Sequence, residues 1–270
     1  IDSIVNGIEE HLEENGYQMI LNDLHMLEKL YNQYDQITGY QEYVNDRVKL
    51  MLRSHVDGVI YVGMHDRHID NLINPIEKPF VYAYSHGTKC DHFVSYDNYN
   101  GAVDAVNHLV SRGHREIAVI AGHPDSFPTQ QRMNGFKDAV IKAGLPLRDE
   151  FIQYGNWEYE SGFQITQKIL SLTRRPTAIF AMNDLMAAGC INASLESGLK
   201  IPRDLSIIGF DNREIASYLP VPLTTLQVPN NEIGHECTNM LLELAEGQTL
   251  ERNCIILPCT LIERASVATI

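Results

Sequence analysis

What most constrains the fold of this chain is an alternation, kept up almost from end to end, of short β-branched apolar runs with longer segments of helical period. The runs 56–62, 80–84, 93–96, 116–121, 177–182, 205–210 and 223–228 are of strand length and largely apolar on both faces. Strands of that kind belong to parallel sheets covered by helices on either side, because a sheet with one wet face reads as strict alternation. Residues 17–21 are read as a further strand. The segments 4–14, 40–53, 99–112, 129–143, 160–172, 184–197 and 230–245 read as helices; in the last, Ile233, Cys237, Met240, Leu241 and Leu244 form one stripe, so it packs by a single face. The predicted class is α/β with parallel sheets. No Pro/Gly/Ser-rich linker divides the chain, so any two domains must be interleaved by chain crossings. Residues 22–43, rich in Tyr, Gln, Asn and Asp, are read as a loop or an extended lead-in to the next helix.

The 270 residues have room for two such units, since domains usually run to about 100–200 residues. Lys and Arg number 21 against 35 Asp and Glu, a net charge of −14. That balance lacks the positive footprint that binding a phosphate backbone requires, so these residues are not expected to touch nucleic acid themselves. No apolar run reaches the ~18 residues of a membrane span. The opening Ile1-Asp2-Ser3-Ile4 enters a helical pattern directly, without a secretion signal. The five cysteines are odd in number, scattered and set in apolar surroundings, which points to reduced thiols in a cytoplasmic protein. Neither they nor the 11 histidines show metal-ligand spacing, so no metal and no cofactor are expected. Phosphate-binding loops, nucleophile elbows and the His-Glu-x-x-His motif are absent, and the expectation is a protein that is not an enzyme.

The candidate functional residues are polar side chains just past strand ends, where open parallel sheets bind ligands. In Met182-Asn183-Asp184 one residue caps the following helix, and adjacency leaves the other free. Asp184 is assigned to the cap and Asn183 to the ligand. Asp211 either accepts hydrogen bonds from ligand hydroxyls or caps a turn. Trp157, the one tryptophan, sits in a Gly-containing loop where its flat face suits a sugar or a heterocycle; core packing is the other reading. Arg132 stands early in a helix, against the dipole. A forked donor aimed at hydroxyls or a carboxylate would account for it, as would an interdomain salt bridge.

At these residues a family resemblance emerges. Val94-Ser95-Tyr96-Asp97-Asn98, Gly113-His114-Arg115-Glu116-Ile117-Ala118, Arg132 with Gly135-Phe136, Pro176-Thr177-Ala178-Ile179-Phe180-Ala181 with Asn183-Asp184, Asp204-Leu205-Ser206-Ile207-Ile208-Gly209-Phe210-Asp211 and Pro222-Leu223-Thr224-Thr225 occur in an order that resembles the bacterial lactose/galactose/purine repressors, the LacI/GalR family. The resemblance runs from about Val56 to Val267. It implies two Rossmann-like lobes, similar to periplasmic sugar-binding proteins and joined by three crossovers. The first lobe would take 1–121 plus 229–254, the second 122–228 plus 255–270. It also implies an aromatic at Trp157 that stacks on the effector, polar contacts from Arg132, Asn183 and Asp211, and, by the same alignment, Asn100 and Ser126 facing the cleft. This set is more similar to the sugar-sensing members than to the purine-sensing ones. Pro128 stands where some relatives carry a hydroxyl.

The implied function is the effector-binding and dimerisation domain of a cytoplasmic transcription regulator, sensing a sugar or sugar derivative through lobe closure. Asn100 would act from the first lobe and the other five residues from the second. The expected partners are a carbohydrate effector, a second copy in a homodimer, and operator DNA through an N-terminal helix-turn-helix head. That head, and the strand that opens the core in family members, are missing from these residues, so the chain is read as truncated. Residues 22–43 are longer than is usual for the family. The rival of a different class is a periplasmic sugar-binding protein of a transporter, which would carry a signal peptide; the Gly113-His114-Arg115 and Pro222-Leu223-Thr224-Thr225 motifs favour the repressor. An enzyme on this fold would need a paired acid and base, and the candidate set holds one carboxylate.

Overall fold

The computed structural model describes residues 2–30, 34–69, 72–87 and 92–270. In chain order its elements are α1 (Asp2–Glu14), α2 (Met26–Leu30), a 3-10 segment (Tyr34–Tyr40), α3 (Gln41–Leu52), β1 (Val59–His68), β2 (Phe80–His86), β3 (Phe93–Tyr96), α4 (Asn98–Ser111), β4 (Ile117–Ala121), α5 (Phe127–Lys142), β5 (Ile152–Tyr154), α6 (Tyr159–Leu170), β6 (Ala178–Ala181), α7 (Asp184–Glu196), β7 (Ser206–Asp211), α8 (Ile215–Tyr218), β8 (Thr224–Gln227), α9 (Asn230–Ala245), β9 (Cys254–Leu257) and β10 (Thr260–Ile262). They form two units: residues up to Tyr96 with Pro229–Leu257, and Asp97–Val228 with Pro258–Ile270. Among the described residues, the first unit holds a sheet in the order β1-β2-β3-β9 and the second one in the order β10-β8-β7-β6-β4-β5. Every pairing is parallel except β10 with β8. The α/β class and its parallel sheets are as the alternation predicts.

The expected lobe boundary at 121 moves. β4 pairs with β5 and β6, and α4 packs on α5, so residues 97–121 belong to the second unit. The division falls between β3 and Asp97, whose carboxylate accepts the Asn100 amide hydrogen at 2.8 Å and caps α4. At the other end β9 pairs with β3 and keeps 255–257 in the first unit. Strand pairing sets these boundaries, and no change of composition accompanies them.

Residues 17–21 are not a strand. Ile20 and Leu21 are 54% and 66% exposed, and no described strand pairs with them. A β-prone run becomes a strand only where a neighbour completes its hydrogen-bond ladder. The 22–43 region carries α2 and the 3-10 segment. Met26, Leu30 and Ile37 enter one cluster with Val44, Val48, Tyr61, Ile69 and Leu72, so the lead-in reading holds and the loop reading fails. β9 and β10, absent from the expected strands, are short and part-exposed, which leaves little apolar pattern to read.

The second unit's interior is built on Phe136, Phe180 and Phe210, all fully buried, each worth roughly 1.5–3 kcal/mol of apolar transfer. His114 is structural. It is buried, burial holds its pKa below the usual histidine value, and its ring lies 2.9 Å from Thr177 Oγ1 and 3.2 Å from the Ala268 carbonyl. That pins β4 to the C-terminal segment.

In the first unit α1 and α9 meet backbone to backbone. A Cβ added at Gly234 would stand 2.3 Å from the Ile4 carbonyl oxygen. Gly234→Ala would gain up to about 1 kcal/mol of helix propensity, but separating two helix backbones costs about 1–3 kcal/mol and outweighs it. Thermal denaturation should show a Tm lowered by several degrees, at roughly 2–4 °C per kcal/mol; an unchanged or raised Tm would refute the tight contact.

Candidate functional site

From β4 the chain runs through α5 to the edge strand β5, then returns through α6 to β6 and continues outward to β7 and β8. The strand order therefore reverses between β4 and β6, the position at which open parallel sheets bind ligands beyond their carboxyl ends. Arg132, Trp157, Asn183 and Asp211 all lie in the second unit at this edge.

Arg132 is 2% exposed. Its Nε donates to Asn98 Oδ1 at 2.8 Å and its Nη1 to the Met182 carbonyl. The guanidinium lies 3.6 Å from the Phe210 ring centre, a cation–π contact, and 5.6 Å from that of Trp157. Its Nη2 stands 3.7 Å from Asp211 Oδ1, beyond hydrogen-bond length but well within ion-pair attraction. Asn98 is not among the residues singled out from the sequence, although it lies in a stretch that carries the resemblance.

Trp157 occupies the turn between β5 and α6 with φ +74°, a strained backbone for a bulky residue, of the kind that clusters at ligand sites. Its indole lies on the backbone of Gly122, just past β4, where an added Cβ would stand 2.1 Å from ring atoms. Asn183 holds the turn: its Nδ2 donates to the Trp157 carbonyl at 2.8 Å. Its Oδ1 accepts from the Met186 amide at 2.9 Å. Asn183 is therefore the N-cap of α7, correcting the assignment of that role to Asp184. Asn183 is extended, with φ −152° and ψ 166°, the conformation from which a side chain reaches back to the third helical amide.

Asp184, fully buried, serves elsewhere. Its Oδ1 accepts from Thr225 Oγ1 and its Oδ2 from the Arg213 amide, both at 2.6 Å, which ties α7 to β8 and to the turn after β7. Burial pushes its pKa up to about 7, the nearby Asp211 carboxylate adding to the rise and the two hydrogen bonds opposing it. Asp211 ends β7 with φ +109°, followed by Asn212 at +54°. Its side chain stays 30% exposed. Burial raises its pKa to about 6, against the pull of Arg132 and Arg213. Asn212 is braced by Arg264 Nη2 at 2.8 Å and by Gln227 at 3.1 Å.

The other two candidates are placed differently. Asn100 stands in the second unit, not the first, and its Nδ2 donates to Asp97 Oδ2 at 2.5 Å. Ser126 caps α5: its Oγ accepts from the Thr129 amide at 3.3 Å and donates to Thr129 Oγ1 at 2.9 Å. Both are engaged in helix starts. The arrangement at the strand ends offers a fixed forked cation, an adjacent part-exposed carboxylate and an aromatic face. Among the described residues no group of three or more His, Cys, Asp or Glu side chains is placed to hold a metal ion.

A family model for a periplasmic binding protein-like domain matches residues 106–267. The HTH-type transcriptional repressor PurR of Erwinia tasmaniensis is 35% identical over 273 residues, covering 98% of this chain and 75% of the relative. Among solved structures, a LacI-family transcriptional regulator from Rhizobium etli superposes with a TM-score of 0.84 at 28% identity, covering 98% of this chain and 93% of its own. The transcriptional regulator CelR, in complex with cellobiose, superposes with a TM-score of 0.78 at 25% identity, covering 98% and 78%. The relatives are transcriptional repressors, as the motifs imply, and the chain belongs to the LacI family of transcriptional repressors.

Proposed function

We propose that this chain is the effector-sensing core of a cytoplasmic transcription regulator and that the strand ends of its second unit bind a sugar or sugar derivative. The observation that carries the reading is the Arg132–Asp211 pair, 3.7 Å apart, beside the face of Trp157. A forked donor and a carboxylate side by side match the donor and acceptor faces of neighbouring sugar hydroxyls, and an indole matches the C–H face of the ring. The likeness to a regulator solved with cellobiose supports a carbohydrate. The transporter alternative is set aside because the relatives are repressors. Asn183 acts as a positioning residue through its bond to the Trp157 carbonyl.

The regulator works as a homodimer, and operator contact belongs to a helix-turn-helix segment like that named in the relatives. The −14 charge of residues 1–270 fits that division of labour. A sugar that binds one conformation tenfold better shifts the balance by about 1.4 kcal/mol, so operator control needs several hydrogen bonds that differ between states.

A thermal-shift screen of mono- and disaccharides should find one that raises Tm by mass action. By calorimetry, Asp211→Ala and Trp157→Ala should each weaken that sugar at least tenfold, and unchanged affinity in both would remove the site from these residues. The pH dependence has two opposite signs. Between about pH 4 and pH 7 the folded chain keeps protons on Asp184 and Asp211 that unfolded carboxyls have lost, so these groups stabilise the fold less as pH rises through that window. Sugar affinity should instead fall as pH drops through about 6, because a protonated Asp211 loses acceptor capacity. Asp211→Asn should flatten the calorimetric profile; an equally steep profile in that variant would assign the titration to another group.

A further inference from the structure

A buried guanidinium beside a carboxylate should close onto it, because a hydrogen bond between opposite charges is about twice as strong as a neutral one. Here Nη2 of Arg132 stops 3.7 Å from Asp211 Oδ1, beyond hydrogen-bond length. Burial raises the Asp211 pKa to about 6 against the pull of Arg132 and Arg213, the balance expected of a cation that attracts the carboxylate without bonding it.

Asn98 holds the guanidinium from its Nε side. Its Oδ1 accepts from Arg132 Nε at 2.8 Å, and the residue is 3% exposed. Nε–H can only donate, so the carboxamide must turn its oxygen toward Arg132. Asn is a common cap at helix starts, yet at α4 that role belongs to Asp97, which accepts from the Asn100 amide at 2.8 Å. The Asn98 side chain therefore serves Arg132 from a backbone the cap has already fixed. The first turn of α4 also lies on the ring that carries the cation: a Cβ added at Gly101 would stand 2.8 Å from Phe210, whose centre is 3.6 Å from the guanidinium. Cys259 lies beside Arg132 as well, but burial pushes its thiol up to about 12, so it brings no charge at neutral pH.

We propose that Asn98 is a positioning residue of the binding edge, holding Arg132 off Asp211 and so keeping that carboxylate open to the hydroxyls of a ligand. Without the Asn98 acceptor, the guanidinium would turn onto Asp211 and each would satisfy the other. The ligand half of the proposal rests on the sugar reading; the positioning half does not.

The test follows the Asp211 carboxyl by ¹³C NMR as pH is varied, in the 270-residue chain without sugar, with Asp211→Asn identifying its resonance. Asn98→Leu removes the acceptor at similar volume, and its Asp211 midpoint should fall by at least one pH unit, because a direct ion pair favours the charged carboxylate. Asn98→Asp keeps the acceptor and adds a negative charge, so its midpoint should stay or rise. Loosened packing would instead rehydrate Asp211 and lower the midpoint in both variants. Where the leucine variant does not fold, Asn98→Ala carries the same expectation. An unchanged midpoint without the acceptor, or an equal fall in Asn98→Asp, would overturn the proposal. In calorimetry with glucose, galactose, ribose and cellobiose, a sugar that binds the parent should weaken at least tenfold in Asn98→Leu and less than threefold in Asn98→Asp; equal affinity in parent and Asn98→Leu would overturn the ligand half. If none of the four binds the parent, that result counts against the sugar reading, and the Asp211 midpoint still decides the role of Asn98.

Discussion

Arg132 brings a full positive charge into the second unit's interior, and removing an ion from water costs several kcal/mol unless its donors and its charge are met. Three neighbours meet them: the Asn98 amide oxygen, the Met182 carbonyl just past β6, and the face of Phe210. The remaining edge of the guanidinium points to Asp211. α4, α5, β6 and β7 are thus held around one cation. A rigid, pre-aimed donor loses little entropy when a ligand arrives.

The same edge concentrates features that oppose stability. Asp184 and Asp211 are carboxyls held above their ordinary pKa by burial, and Trp157, Asp211 and Asn212 adopt positive φ. Each such backbone position costs on the order of 1–3 kcal/mol. The surrounding bonds hold them in place: Asn183 to the Trp157 carbonyl, Thr225 and the Arg213 amide to Asp184, Arg264 to Asn212. Their coincidence with the reversal of strand order is the pattern of a binding edge, since a core optimised for stability alone would carry none of them.

Much of this architecture is legible in the amino-acid sequence, because it depends on periodicity. Apolar runs mark seven of the ten strands, all but β5, β9 and β10, and the ends of β6 and β7 mark Asn183 and Asp211 as neighbours of one edge. What stays hidden depends on geometry that no spacing encodes. Adjacency shows that one of Asn183 and Asp184 caps α7, but the backbone angles at Asn183 decide which. Asn98 is easily passed over in favour of Asn100, because two residues of helix turn the side chain from Arg132 back to Asp97. The division at Asp97 leaves no trace in composition because regular elements continue through it, and only the pairing of β4 with β6 reveals it.

Because Trp157 is the single tryptophan, fluorescence excited at the red edge of the tryptophan band, where the 13 tyrosines do not absorb, reports on the proposed site alone. Titrating the chain with the sugar that raises its Tm should change Trp157 emission saturably, with a midpoint that matches the calorimetric Kd, and the change should disappear at the same concentrations in Asp211→Ala. A sugar that stabilises the chain and binds by calorimetry while leaving Trp157 emission untouched would place recognition elsewhere and contradict the account.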